Sequence, residues 1–192
     1  MKMKHLVCAI ALSVGAVGHV FAGNSAMLRI GIDAAYPPFE SKTAAGQLQG
    51  FDIDTGNAVS VKMQVKCVWV ENVFDGLLPA LQARKFDLVN SAMNITGKRE
   101  QIVDFTPAIY VVPMVLIARK NSGLLPTHYA LRGKRIGILQ GAVQDDVVQR
   151  NWKSYGVEIV EYSDQNQVYA DLAAGRLDGS VQEYDSTGRF PR

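Results

Sequence analysis

Leu28-Arg29-Ile30-Gly31-Ile32-Asp33-Ala34-Ala35-Tyr36-Pro37-Pro38-Phe39 joins a short strand pattern to a polar, proline-rich turn. It opens an alternation of short apolar strands with amphipathic helices, the signature of a parallel α/β sheet. Leu28 to Ile32 reads as the first strand and Asp33 to Gly50 as a turn-rich segment. Asp54 to Met63 reads as a helix, Lys66 to Val70 as a strand, and Asp75 to Ala83 as a helix with Leu77, Leu78 and Leu81 on one face. Phe86 to Asn90 is expected to be the third strand.

A second unit begins after Phe105-Thr106-Pro107. The apolar run Tyr110 to Ala118 reads as a connecting strand between two lobes. Strands follow at Arg135 to Leu139, Val157 to Tyr162 and Leu177 to Val181, with helices from about Gln144 to Trp152 and from Gln165 to Ala174. Gly156 and Gly175 stand where helix C-terminal caps favour glycine. No internal repeat or low-complexity tract stands out, and 183–192 shows neither helical nor strand period. The expected division is a leader (1–22), a first lobe (23–112), a second lobe (113–182) and an unpatterned tail (183–192).

The leader reads as a cleavable signal peptide. Met1-Lys2-Met3-Lys4-His5 is positive, Leu6 to Val20 is apolar or small apart from Ser13 and His19, and Val20-Phe21-Ala22 places small residues for cleavage after Ala22. Cys8 lies too early in the run to become the lipidated first residue of a mature lipoprotein, so a soluble secreted protein is expected. Cleavage removes Lys2 and Lys4 and no acid, which takes 20 Lys plus Arg to 18, against 18 Asp plus Glu. That balance offers no electrostatic footprint for nucleic acid or an anionic membrane. Cys67 is then the only thiol, which excludes an internal disulfide.

Asp33 to Phe39 directly follows a strand, at the carboxyl end of a parallel sheet, where open α/β folds bind ligands. Asp33 and Tyr36 on that loop, with Phe74 opposite, suit an alkylammonium or guanidinium held by charge and aromatic faces. The same aromatics also fit an ordinary rim or core role. Ser91-Ala92-Met93-Asn94-Ile95-Thr96-Gly97-Lys98-Arg99 follows the third strand and leads into a short helix. Its small and polar residues expose backbone N–H groups, and Arg99 adds a planar fork; both suit a carboxylate, although an arginine after a turn is also a common solvated residue. In the second lobe, Leu139-Gln140-Gly141-Ala142-Val143-Gln144 is another strand-to-helix turn without phosphate-loop or dinucleotide spacing. There is no His-Glu-x-x-His, paired-cysteine or Gly-x-Ser-x-Gly motif, and His128 sits in an unpatterned loop. No catalytic residue, metal or cofactor is expected.

Taken in order, Arg29-Ile30-Gly31-Ile32-Asp33 with Tyr36-Pro37-Pro38-Phe39, Gly50-Phe51-Asp52-Ile53-Asp54, Phe74-Asp75-Gly76-Leu77-Leu78-Pro79, Asn94-Ile95-Thr96 to Arg99, Val103-Asp104-Phe105-Thr106 and Gly175-Arg176-Leu177-Asp178 resemble the periplasmic polar amino-acid-binding proteins, solute-binding family 3. The lysine/arginine/ornithine- and histidine-binding group is the best match, from about Leu28 to Gln182. The resemblance implies a type II periplasmic binding protein fold, an α/β structure whose two lobes close over a ligand by a hinge motion. It implies that Asp33 faces the side-chain cation, that Tyr36 and Phe74 flank the aliphatic stem, and that Arg99 takes the α-carboxylate. Backbone groups of Ser91, Ala92 and Asn94 would assist, Ala142 and Val143 would contribute from the second lobe, and Glu183 would receive the α-amino group where the family has Asp. The implied partners are a small amino acid and an ABC permease in the inner membrane, and a monomer is expected.

The departures are specific. The family often has Ser or Gly at Ala92, Ser or Thr at Asn94 and hydroxyl residues at Ala142-Val143, so the loss of hydroxyls at three of these places is expected to remove hydrogen bonds worth about 1 kcal/mol each and to change affinity or ligand choice. Close relatives pair a cysteine at position 60 with the equivalent of Cys67; here Ser60 replaces it. Relatives also continue beyond Gln182, so the expectation is a C-terminally truncated chain whose second lobe and return to the first are incomplete. The alternatives are an enzyme of the cyclohexadienyl dehydratase type on the same fold, and a non-functional fragment.

Overall fold

The computed structural model describes residues 26–184. The expected signal peptide (1–22), with Cys8, and residues 185–192 of the expected tail lie outside the described residues.

The first lobe is built on β1 (Met27–Ile32), flanked in parallel by β4 (Lys66–Glu71) and β5 (Leu88–Val89). The polar turn between β1 and the first helix carries a short antiparallel pair, β2 (Ser41–Lys42) with β3 (Leu48–Gln49). Ile30 and Ile32 are buried at 1% and 0% exposure, and Gly31 between them leaves room for Phe86, whose ring would lie 2.5 Å from any Cβ placed there. Helix α1 (Phe51–Lys62) starts earlier than its pattern suggests. Gly50 at φ 129° makes that start possible, since a Cβ there would sit 2.2 Å from the Phe39 carbonyl oxygen. The expected helix at 75–83 divides into a 3₁₀ turn (Phe74–Gly76) and α2 (Leu77–Gln82); Leu77 is fully buried, Leu78 and Leu81 half so.

The second lobe is a four-stranded sheet in the order β6 (Met114–Ala118), β9 (Gly179–Glu183), β7 (Arg135–Leu139), β8 (Glu158–Tyr162), antiparallel only between β6 and β9. Leu131, Ile136, Ile138, Val148, Val157 and Val181 form its core, under α5 (Val143–Asn151), with α6 (Gln165–Ala173) packing Val168 and Leu172 on Leu177. Gly156 and Gly175 take φ of 80° and 78°, the left-handed conformation expected of caps.

Three expectations need correction. Residues 110–113 are not strand; β6 begins at Met114, the first position with a ladder partner, Glu183. Glu183 is therefore the last residue of a buried strand and not the start of a tail. His128 opens a one-turn helix, α4 (His128–Leu131), capped by Thr127, with its ring 3.7 Å from that of Tyr155.

The lobes also share a pattern that the sequence alone did not reveal. Arg29-Ile30-Gly31-Ile32 in β1 and Arg135-Ile136-Gly137-Ile138 in β7 occupy the same place in the strand orders β4-β1-β5 and β8-β7-β9. Asp87 accepts the Arg29 N–H at 2.8 Å, and Asp178 accepts the Arg135 N–H at 2.8 Å. The apolar residue before each aspartate fills the space over the glycine: Phe86 over Gly31, and Leu177 over Gly137.

Candidate functional site

The ends of β1, β7 and β9 meet at a cavity between the lobes. Asp33, Tyr36, Phe74, Ala92, Asn94 and Glu183 line it, together with Glu40, Leu139, Ala142, Gln144, Gln165, Val181 and Gln182. Asp33 leaves β1 with its N–H donated to Ser91 Oγ at 3.0 Å; Ser91 in turn donates to Glu40 Oε1 at 2.8 Å. Ser91 is 1% exposed. It thus holds the Asp33 loop from behind and does not face the cavity.

Burial raises the Asp33 carboxyl to about 6, and the nearby charges of Asp164, Asp75 and Glu71 push the same way, against a backbone hydrogen bond from Phe74. Glu40 is pushed well above the usual carboxylate range, first by burial and then by Asp52 beside it. Asp52 accepts the Ala92 N–H at 2.6 Å, which opposes the upward push that burial gives its own carboxyl. Ala92 adopts φ 43°, a left-handed turn that aims this N–H at Asp52.

Glu183 sits at the opposite wall. Asn94 Nδ2 donates to its Oε1 at 2.7 Å, Tyr36 Oη to its Oε2 at 3.5 Å, and the Glu183 N–H donates to Tyr36 Oη at 3.2 Å. Burial raises its carboxyl, opposed by Asn94, Tyr36 and Arg99. Each of these bonds joins the lobes.

Arg99 is 8% exposed, which removes the solvated-residue alternative. Thr96 caps α3 (Gly97–Glu100) and fixes the turn that turns Arg99 inward. Its Nη1 donates to Asn94 O at 2.7 Å and its Nη2 to Gly141 O at 3.0 Å across the lobes, with the guanidinium 5.5 Å from the Phe74 ring centre. Phe74 belongs to a cluster with Leu77, Ala80 and Phe86 of its own lobe and Leu139 and Ala142 of the other. Arg99 and Val143 do not line the cavity; Val143 is the half-buried first residue of α5, and Ala142 before it makes the contact. Sequence reasoning missed Glu40, Gln144 and Gln165 as lining residues. Only the Gln144 position, one past an expected site residue, carried a signal.

Two carboxyls, half-buried Asp33 and buried Glu183, whose ionised forms are penalised by desolvation, favour a ligand that brings positive charge. Aromatic walls at Tyr36 and Phe74 suit an aliphatic stem between those charges.

Residues 28–183 match the family model described as bacterial extracellular solute-binding proteins, family 3. The chain belongs to this family. Among family 3 relatives it is 44% identical over 183 residues to the lysine/arginine/ornithine-binding periplasmic protein of Escherichia coli K12, covering 94% of this chain and 70% of that protein. It is also 44% identical to the L-arginine-binding protein of Pseudomonas aeruginosa, covering 95% of this chain and 70% of that one. Among solved structures, an ancestral arginine-binding protein bound to arginine matches at a TM-score of 0.79 and 32% identity, over 82% of this chain and 70% of that one. An ancestral amino acid-binding protein, a precursor of cyclohexadienyl dehydratase, matches at 0.75 and 29% identity, over 82% and 70%. The fold is thus the α/β type II periplasmic binding protein fold, of which this chain holds part.

Proposed function

We propose that this protein is the periplasmic substrate-binding component of an ABC importer, capturing a polar, basic amino acid (arginine, lysine, ornithine or histidine) and presenting it to an inner-membrane permease. It is exported through residues 1–22 and works as a monomer. The observation that carries the reading is the pairing of Asp33 with Glu183 on opposite walls of one aromatic-lined cavity, suited to the side-chain cation and the α-ammonium of a single ligand. Tyr36 and Phe74 hold the stem, Asn94 and Ala92 line its path, Ser91 steadies Asp33, and Arg99 gives the α-carboxylate a positive neighbour at the lobe junction. The relatives of Escherichia coli and Pseudomonas aeruginosa and the ancestral arginine-binding protein are named for basic amino acids, which supports the same class.

Calorimetry with arginine, lysine, ornithine and histidine at low salt tests it. Saturable binding near micromolar, about −8 kcal/mol, is expected for at least one; a folded protein that binds none overturns the reading. One observation favours a second reading, a dehydratase of cyclohexadienyl type: Glu183 is a buried carboxyl with a raised proton affinity in the cleft, as a general acid requires. Turnover of prephenate would support that reading, and a basic amino acid bound unchanged would count against it.

A further inference from the structure

A second groove, of about 520 Å³, adjoins the cavity in the first lobe and shares Ala92, Asn94 and Glu183 with it. It runs past β5, whose one ladder partner among the described residues is β1. Val59, Leu81, Met93 and Phe105 give it apolar walls. Its charged residues are Asp52, Asp87, Asp104 and Glu183, and no Lys, Arg or His lines it. Asp52, Asp87 and Glu183 already bond to Ala92, Arg29 and Asn94. Exposed Asp104 has no partner among the described residues. An apolar, acidic groove calls for an occupant with apolar and basic side chains.

The segment 108–112 forms one rim of this groove. Ile109 and Val111 are 57% and 89% exposed, and no backbone group of 108–112 bonds to another described residue. The end of β9 is aimed along this rim. Its ladder pairs Val115 with Gln182 and Met114 with Glu183, and one step further the Tyr184 N–H donates to the Pro113 carbonyl at 2.7 Å. Every second pair of an antiparallel ladder exchanges both backbone bonds, and Pro113 lacks only the returning N–H. Continued in the same register, Val111 meets Ser186 and Ile109 meets Gly188. Residues 185–192 can reach about 26 Å, which carries Arg189, Phe190 and Arg192 past Ile109 to the end of the groove lined by Val103, Asp104 and Phe105. A phenylalanine ring suits those apolar walls, and arginine suits the unpaired Asp104.

We propose that residues 185–192 are the occupant of this groove, seating Phe190 against its apolar walls and bringing Arg189 and Arg192 to its acidic side chains. Docked there, the segment covers the first-lobe residues next to Ala92 and Asn94, whichever ligand the cleft takes. Amide hydrogen exchange followed by NMR, with light scattering to fix the oligomeric state, tests it. In the monomeric wild type the N–H groups of Ile109, Val111, Ser186 and Gly188 are expected to exchange at least about tenfold more slowly than in an unstructured chain. Phe190→Asp combined with Arg189→Glu should reduce that protection to less than about threefold and leave β7 unchanged. Free exchange at Ser186 and Gly188 in the wild type, or protection that survives the double variant, would overturn the proposal. Protection that appears only in a dimer would give the groove to a second copy and overturn it as well. If the double variant does not fold, Asp104→Lys on the exposed rim decides: Ser186 and Gly188 should lose protection, and unchanged exchange there overturns the assignment.

Discussion

Asp33 sets stability against binding. Its carboxyl is raised to about 6, chiefly by burial and then by Asp164, above the ordinary value of about 3.9. The folded protein therefore holds a proton that the unfolded chain has already released between about pH 4 and 6. Stability falls as pH rises through that window, and above it the ionised side chain remains a net cost of roughly 1 to 2 kcal/mol after solvent screening. A ligand cation needs the ionised form, so affinity for a basic amino acid should fall as pH drops below about 6. Asp33→Asn is expected to raise the melting temperature of the ligand-free protein at pH 7.5, flatten its slope between about pH 4 and 6, and weaken arginine by about a hundredfold, with neutral ligands little changed. Melts across pH 4–8 and calorimetry measure both halves; equal weakening of charged and neutral ligands would remove Asp33 from the cation's side. Asp33 and Tyr36 were legible because they follow a strand whose end is a known place for ligands. Gln165 was not, because it joins the cavity wall only once α6 is docked on the cleft.

At the scale of elements, β7, β8, α5 and α6 of the second lobe read to within a residue at each end, since their apolar periods are clean, whereas α4 reads as loop. The errors fell where tertiary pairing sets the boundary: β6 starts and β9 ends at the Met114–Glu183 pair. Arg29-Ile30-Gly31-Ile32 and Arg135-Ile136-Gly137-Ile138 went unrecognised as counterparts because what unites them is contact. Each glycine lies under an apolar side chain whose following aspartate holds the strand's arginine. A Cβ at Gly137 would stand 2.3 Å from Leu177 Cδ1, and Leu177 is 1% exposed, with no free volume to retreat into. Gly137→Ala should therefore cost about 1 to 3 kcal/mol by overpacking. Leu177→Ala alone should cost about 2 to 5 kcal/mol through its cavity. The double variant should be less damaging than the sum, because the new methyl enters the space the leucine left. Urea denaturation of the four proteins gives the coupling, and strict additivity would mean that the two sites do not share that space.

For the molecule as a whole, the junction between lobes is carried by few, close contacts. Besides the bonds of Glu183 and Arg99, Gly141 brings the β7–α5 turn against the first lobe: at φ 75° it takes a left-handed conformation, and a Cβ there would lie 2.9 Å from Asp75 Cβ. Its carbonyl receives Arg99 Nη2, so a single residue combines a close approach of the lobes with one of their polar contacts. The separate core of the second lobe, from Leu131 to Val181, does not involve it. A larger residue at 141 should hold the lobes apart while leaving that core intact. Gly141→Val is expected to weaken arginine by more than about tenfold, from the backbone strain of a β-branched residue at positive φ together with the displaced lobe. Small-angle scattering should show a larger radius of gyration in the presence of arginine than for wild type, and circular dichroism an unchanged secondary structure. A variant with wild-type affinity and radius would mean that the lobes meet elsewhere and that the Gly141–Asp75 approach does not govern closure.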